Sequence, residues 1–571
     1  LAEALMDTNT GRFALVRQLL ADGIHCMFGN PGTSEQNLLD ALGDEEFRDF
    51  TYYLALHEGT AVAMGDGYAR ALQRPAVVQL HSYAGLANGL GMMKYAHRGY
   101  TPMVVIAGDA GLKYDALDGQ MAADLVNMAR PFVKSDHNGP CSWRVVDAGS
   151  LLRLLRRALK TAATPPMGPV FLALPMDILD AVNAEPVVPT SRIDTRVAPS
   201  PESIAQAAAL LAEAKAPLIL MGDAVAASGA QAELAEVAEL LGAVVWGVNC
   251  SEVNLPSSHP LFGGFTGHMF GEDSRPITSG ADVVLICGTT VMPEVFPALE
   301  GVFAEGAAVI HFDLNVTEIA KNFPVRIGAL GDPQRSLALL AAEIKCIMSP
   351  AQQAAAEARL NRQCEAKAAQ REKSVTHDAG IRDQVPLAAS RFMEELGNRL
   401  PEDALIFDEA LTNSPALCRY LPQDRPGTYF QTRAGMLGTG LPGALGLKVA
   451  HPDKVVFGFS GDGGSISTIQ ALGTAARHGI GVKFVVCNNR SYRILKYNLQ
   501  RYWADLPPHP QRKFPESFDL STPELRFDLL AEGQGVAAIR VERPEEIAPA
   551  LDRAFADDRP LLIELMLSAD L

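Results

Sequence analysis

Two apolar runs in this chain end in residues that could hold a metal. The run VVFGFS (455–460) stops in Gly461-Asp462-Gly463-Gly464, and the run VKFVVC (482–487) stops in Asn488-Asn489. The segment between them, SISTIQALGTAARHG, has a helical pattern. A strand–helix–strand unit of this kind closes as a right-handed crossover between parallel strands. Asp462 and Asn489 are then placed at neighbouring strand ends, the edge at which open α/β sheets bind ligands. A carboxylate and an amide oxygen suit Mg²⁺, which keeps further positions for phosphate oxygens. Gly461, Gly463, Gly464 and Ser465 let backbone N–H groups approach phosphates at a helix start, where the dipole favours anions. The chemistry expected here is a Mg²⁺–diphosphate anchor. The alternative is a tight turn with Asp462 as a helix N-cap.

Two further groups could act on protons. Glu58 opens an apolar, Gly/Ala-rich helical pattern in LALHEGTAVAMGDGYAR (54–70), and His81 follows a strand-like run in LHSYAG (80–85). An acid at a helix start also complements the helix dipole, and a histidine at a strand end is often structural. Beyond Asn489, Arg490, Arg493 and Lys496 recur every third residue. On a helix this spacing gives one basic face, able to meet an acidic substrate or the phosphates of a CoA thioester, or simply to be solvated.

The elements that must position these groups alternate along the whole chain. Strand-like runs at 75–80, 102–108, 169–175, 216–222, 243–248, 282–288, 307–313, 454–459, 482–489 and 560–565 are separated by amphipathic, Ala/Leu-rich segments such as 202–215 and 230–241. Runs that are apolar throughout belong to parallel sheets covered by helices on both faces. A Pro/Ser-rich stretch at 183–203 and a charged helical stretch at 349–382 divide the chain. The expected fold is α/β, with three doubly wound parallel-sheet domains at 1–185, 200–345 and 386–571, within the two to four domains natural for 571 residues.

Composition narrows the function. A net charge of −17 argues against a general nucleic-acid binder. No apolar run reaches the length of a membrane helix, and the opening residues show no secretory signal. The eight cysteines form no C-x-x-C pair, which points away from zinc and toward a reduced, cytoplasmic protein.

Gly-Asp-Gly followed by Asn-Asn resembles the cofactor motif of the thiamine diphosphate (ThDP)-dependent 2-oxo acid decarboxylase and acetolactate synthase family. The resemblance extends through the HE-x-x-A…GYAR segment at Glu58 and through RAGMLGTGLPGALG (433–446). It implies ThDP and Mg²⁺ as cofactors, with aminopyrimidine-binding, middle and diphosphate-binding domains in that order. Asp462, Asn489 and the Ser491 carbonyl are implied as metal ligands, and Glu58 as the acid that meets N1′ of the aminopyrimidine. Such a carboxylate needs a largely apolar pocket. Gly435 is implied as a backbone contact to the aminopyrimidine and Leu437 as an apolar wedge beneath the cofactor. The family also implies a homodimer or homotetramer, with active sites at subunit interfaces.

FGNPGTSE (28–35) and LHSYAG look most like the benzoylformate decarboxylases of that family. This implies Thr33 at the substrate carboxylate and His81 in proton transfer, with Asn30, Ser82, Arg493, Ile494 and Leu495 around the substrate. The second active-site histidine of those decarboxylases is missing: LICGTTVMPEVFPALEG (285–301) has Glu294 and Val295 near its place. The segment 503–521, rich in Pro and charge, is expected as a loop over the site. The expected reaction is non-oxidative decarboxylation of a benzoylformate-like 2-oxo acid to an aldehyde. The alternatives are an acetolactate synthase-like carboligase, a 2-hydroxyacyl-CoA lyase, and a non-enzymatic ThDP-binding subunit.

Overall fold

The computed structural model describes residues 9–421, 423–504, 506–508 and 512–570. Three six-stranded sheets follow one another along the chain. The first is ordered Thr51–Leu54, Cys26–Gly29, Ala76–Leu80, Met103–Asp109, Pro169–Pro175, Ser142–Arg144, and every pair is parallel. The second runs Phe262–Phe265, Val244–Gly247, Pro217–Met221, Val283–Cys287, Ala308–Asp313, Ile327–Leu330, again all parallel. The third runs Tyr429–Gln431, Leu405–Glu409, Val456–Gly461, Val482–Asn488, Leu561–Met566, Ala537–Val541, likewise parallel. Central strands such as Met103–Asp109 and Val482–Asn488 are buried at every residue. Helices cover both their faces, as uninterrupted Val/Ile/Phe runs require.

The two connectors differ in kind. Residues 184–200 form no regular element, and Ser200 then caps the helix Pro201–Glu213 by accepting the Ser203 N–H. The second connector is a 31-residue helix, Pro350–Gly380, started by a capping box between Ser349 and Gln352. Only Ala356 and Asp378 on it are buried, so it rides over the surface as its charge suggests. No helix among the described residues is long and apolar enough to cross a membrane.

The first and third sheets meet through two glycine-rich helices, Glu58–Leu72 and Gly440–Ala450. A Cβ added at Gly67 would lie 2.2 Å from the Gly443 carbonyl oxygen, and one at Gly446 would lie 2.1 Å from that of Met64. The backbones therefore touch, which side chains at these positions would prevent. Beside this crossing, a buried network joins all three domains. Arg70 donates to Ser251 and Glu252, and Arg433 donates to Thr101 and lies 3.4 Å from Asp66.

The expected basic helical face does not form. The helix begins only at Arg493 and runs to Ala504. Arg490 precedes it in a turn at φ +55°, its N–H held by Asn488 Oδ1 at 3.1 Å. The Arg493 guanidinium is taken up by Thr412 Oγ1 at 2.7 Å, Asn413 Oδ1 at 2.7 Å and the Ser568 carbonyl at 3.3 Å. Lys496 lies over the Phe514 ring. Of the expected covering loop at 503–521, residues 505 and 509–511 lie outside the described residues.

Candidate active site

The residues singled out in the sequence form two clusters. The first lies at the carboxyl edge of the first sheet. Glu58 is the first residue of its helix and is 5% exposed. Asn30 Nδ2 donates to its Oε1 at 3.1 Å and Asn88 Nδ2 to its Oε2 at 2.9 Å. Gly85 provides the room: a Cβ there would lie 3.1 Å from Glu58 Cγ and 3.3 Å from His81 Cβ.

His81 directly precedes the helix Ser82–Arg98 and keeps a fifth of its side chain exposed. Its Nδ1 faces Glu35 Oε2 at 2.9 Å and Ser34 Oγ at 3.1 Å. Glu35 is 2% exposed and accepts the Gly32 N–H at 2.8 Å and the Ser34 hydroxyl at 2.7 Å. Gly32 is needed for the ring itself, since a Cβ there would lie 2.3 Å from His81 Nδ1. Thr33 is exposed beside this group. Ser82 is buried at φ +42° with its hydroxyl donating to the Met121 carbonyl.

The second cluster lies at the carboxyl edge of the third sheet. Gly461 pairs with Cys487, so Asp462 and Asn489 leave adjacent parallel strands. The Ser491 N–H is shared by Asn489 Oδ1 at 3.0 Å and Asp462 Oδ2 at 3.3 Å, and Asp462 Oδ1 accepts the Gly463 N–H at 2.8 Å. Two side-chain oxygens thus converge on one backbone N–H. Burial raises the Asp462 pKa from the usual carboxylate range. Asp462 begins the short helix Asp462–Ser465, and its N-cap is Gly461. The Ser491 carbonyl accepts the Arg493 N–H at 2.7 Å.

The glycines of the turn answer to protein neighbours as well. A Cβ at Gly463 would lie 2.4 Å from the Tyr492 ring, and one at Gly464 would lie 2.8 Å from Ser460 Oγ. Gly461 and Gly435 have nothing within 4 Å of a Cβ, and Gly435 adopts φ +72°. Next to it Leu437 is 39% exposed. Met436 packs on the helix Ser82–Arg98, its Cε 3.0 Å from the Cβ position of Gly91.

These residues fit a magnesium diphosphate carrying an aromatic base. Among the described residues, no ion pair engages Asp462 or Glu58, and the buried Ser465 Oγ has no hydrogen-bond partner. A single carboxylate with amide and carbonyl oxygens is a hard, incomplete ligand set that phosphate oxygens complete. Among the described residues, no three His, Cys, Asp or Glu side chains gather as a metal site on their own.

The tentative substrate residues part company. Asn30 is committed to Glu58 and Arg493 to Thr412 and Asn413, whereas Ile494 is half-buried and Leu495 is exposed. In the middle domain Glu294 turns inward onto Ser274 Oγ at 2.5 Å, and Val295 is exposed. Sequence reasoning missed Glu35, Asn88 and Glu409. Glu35 had a signal, lying three residues after Gly32 at a short helix start. Asn88, one polar residue in a glycine-rich helix, had none.

Three family models match this chain in order: the N-terminal TPP binding domain of thiamine pyrophosphate enzymes over residues 9–128, their central domain over 204–340, and their C-terminal TPP binding domain over 412–565. Benzoylformate decarboxylase of Pseudomonas aeruginosa is 29% identical over 549 residues, covering 95% of this chain and 96% of the relative. The acetolactate synthase isozyme 3 large subunit of Escherichia coli is 28% identical over 565 residues, covering 97% and 93%. Among solved structures, a ThDP-dependent 4-hydroxybenzoylformate decarboxylase of Rhodococcus jostii superposes with a TM-score of 0.80 at 26% identity, covering 98% of this chain and 99% of that one.

Proposed function

Because this chain belongs to the thiamine pyrophosphate enzyme family, matched in all three of its domains, we propose that it decarboxylates a benzoylformate-like 2-oxo acid without oxidation, using ThDP and Mg²⁺. The single observation that carries this reading is the pairing of Glu58 and His81 about Gly85, with His81 fixed by a buried Glu35. A carboxylate toward the cofactor and an oriented histidine toward the substrate are what a decarboxylation ending in protonation needs. The relatives named as benzoylformate and 4-hydroxybenzoylformate decarboxylases support the substrate class.

When bound, ThDP supplies an electron sink for the carbanion left by CO₂. The residues of this chain orient it and move protons. Asp462, Asn489 and the Ser491 carbonyl would hold the metal, and Gly461, Gly463, Gly464 and Ser465 the diphosphate. Gly435 and the exposed Leu437 would meet the rings. Glu58 would hold a proton at N1′, kept in register by Asn30 and Asn88. Thr33 would receive the substrate carboxylate, and His81 Nε2 would deliver the proton that completes the aldehyde. Glu35 at Nδ1 leaves Nε2 as the working atom.

The active unit in this reading is a homodimer or a homotetramer. Among the described residues, no hydrogen bond or ion pair joins Glu58 or His81 to the segments 435–440, 461–465 or 489–491. This suits sites completed by a second copy. Working domain boundaries are 1–185, 200–345 and 386–571. The eight free cysteines favour a cytoplasmic location. The 2-hydroxyacyl-CoA reading loses its basis, since Arg490 and Arg493 do not share a basic face. The acetolactate synthase relative keeps carboligation as the second reading.

A panel of 2-oxo acids, with ThDP and Mg²⁺ and with both CO₂ and organic product measured, decides between them. Benzaldehyde from benzoylformate is the expected result. Acetolactate from pyruvate, with benzoylformate untouched, selects the carboligase. Turnover that survives EDTA and cofactor removal, or full turnover in Glu58→Gln, rules out both.

A further inference from the structure

The strand Leu405–Glu409 is flanked on both sides in the third sheet and ends in two acids, Asp408 and Glu409, each 0% exposed. Strand alternation sends them to opposite faces. Asp408 is accounted for within its own domain by the Ala410 N–H, the Ser414 hydroxyl and the Tyr429 hydroxyl. Glu409 is different. Its Oε1 accepts the N–H groups of Gly438 at 2.7 Å and Thr439 at 3.1 Å, and its Oε2 accepts the Gly440 N–H at 2.9 Å and the Ser460 hydroxyl at 2.8 Å.

Those four donors come from two separate segments. Gly438–Gly440 closes the turn that carries Gly435 and Leu437 and begins the helix Gly440–Ala450. Ser460 directly precedes Gly461 and Asp462. A Cβ at Gly440 would lie 3.0 Å from Glu409 Oε2, and one at Gly464 would lie 3.2 Å from it. Two glycines, one at the start of the helix Gly440–Ala450 and one in the Gly-Asp-Gly-Gly turn, therefore also make space for this carboxylate. Among the described residues no cation pairs with Glu409. Four hydrogen bonds and the helix start at Gly440 are what hold a charge that burial alone would disfavour.

We propose that Glu409 is a positioning residue. It fixes the spacing between the Gly435–Leu437 segment and the Gly461–Ser465 turn before the cofactor arrives, so that ThDP binds a preformed cradle. The proposal rests on the ThDP reading above. A cradle ordered in advance spares the binding step the cost of ordering two loops. Glu409→Gln keeps the shape of the side chain but turns one acceptor into a donor. Whichever way the amide lies, at least one of the backbone N–H groups then faces an N–H.

The test measures the ThDP dissociation constant by protein-fluorescence titration in the presence of Mg²⁺, together with the melting temperature of the cofactor-free protein, for the full chain. Glu409→Gln is expected to weaken ThDP binding by roughly tenfold or more. Ser460→Ala, which removes one donor and leaves the charge in place, is expected to weaken it by about threefold. It also serves if Glu409→Gln does not fold. Affinity within about twofold of wild type in either folded variant overturns the proposal, and so does a lowered melting temperature with unchanged affinity, the mark of a purely structural group. A wild-type protein that binds no ThDP overturns the functional reading as well, which separates the two failures.

Discussion

Asn88 donates to one oxygen of Glu58 at 2.9 Å while Asn30 donates to the other at 3.1 Å. The carboxylate is thus clamped between two neutral amides in a site that water scarcely reaches. Neutral donors orient the group without placing a cation against it. Asn88 belongs to the helix after His81 and Asn30 to the loop after the strand Cys26–Gly29, so two separate elements set the direction of one acid.

Asn88→Ala removes one side of that clamp. Turnover at saturating ThDP is expected to fall by about tenfold, the usual scale for losing one hydrogen bond to a charged group that must be aligned. Cofactor affinity should change much less. Steady-state kcat beside a ThDP titration checks this, and an unchanged kcat would remove Asn88 from the activation of the cofactor.

Glu35 and His81 should behave as one unit. Glu35→Gln leaves the histidine free to adopt either tautomer, because an amide can accept from or donate to Nδ1. A loss in kcat/KM of roughly 30- to 100-fold is expected, in line with removal of a carboxylate that orients a working histidine. The sharper measurement is a double-mutant cycle. Glu35→Gln combined with His81→Ala should be no worse than His81→Ala alone, since residues acting through each other are not additive. Losses that multiply would show that Glu35 serves something other than His81.

The strands were legible from sequence because parallel sheets bury both faces and leave continuous apolar runs. Val456–Gly461 and Val482–Asn488 lie within a residue or two of the expected runs. The adjacency of Asp462 and Asn489 was legible because a single crossover sets parallel strands, and so their carboxyl ends, side by side. The basic face failed for a local reason: helical periodicity was assumed across Arg490, which instead takes a left-handed turn next to the shared Ser491 N–H. Asn88 and Glu409 were hidden because their partners, Glu58 for one and Gly438, Thr439, Gly440 and Ser460 for the other, lie about 30 or more residues away. Spacing in a sequence reports neighbours on one element, not contacts between elements.

Gly446 offers a stability test that avoids the chemistry. Its Cβ position lies 2.1 Å from the Met64 carbonyl oxygen and 2.6 Å from the Tyr68 nitrogen, both backbone atoms of the facing helix. A side chain cannot turn aside to relieve such a clash, so the helices must separate. Gly446→Ala is expected to destabilise the protein by about 1–3 kcal/mol, the range for overpacking a tight interior, read as a lower urea midpoint. Gly229, which has nothing within 4 Å of its Cβ position but adopts φ +71°, gives a comparison in which only backbone strain is added. Equal losses at the two sites would contradict a tight crossing.

Asp313 gives a pH dependence with a defined sign. It ends the strand Ala308–Asp313, and burial raises its pKa from 3.8 to about 7, with nearby Glu318 adding to the rise and the Asn315 N–H, at 2.6 Å, opposing it. Between roughly pH 4 and 7 the folded protein keeps a proton that the unfolded chain has released, so this group's stabilising contribution is full below that window and is lost as pH rises through it. Asp313→Asn keeps an oxygen for the Asn315 N–H and has no charge to bury. The variant is therefore expected to be more stable than wild type at pH 8 by roughly 2 kcal/mol, a discounted fraction of a three-unit shift at 1.36 kcal/mol per unit. The difference should shrink at pH 5.5. Urea midpoints at the two pH values measure it, and a wild-type protein at least as stable as the variant at pH 8 would show that Asp313 does not bury its charge.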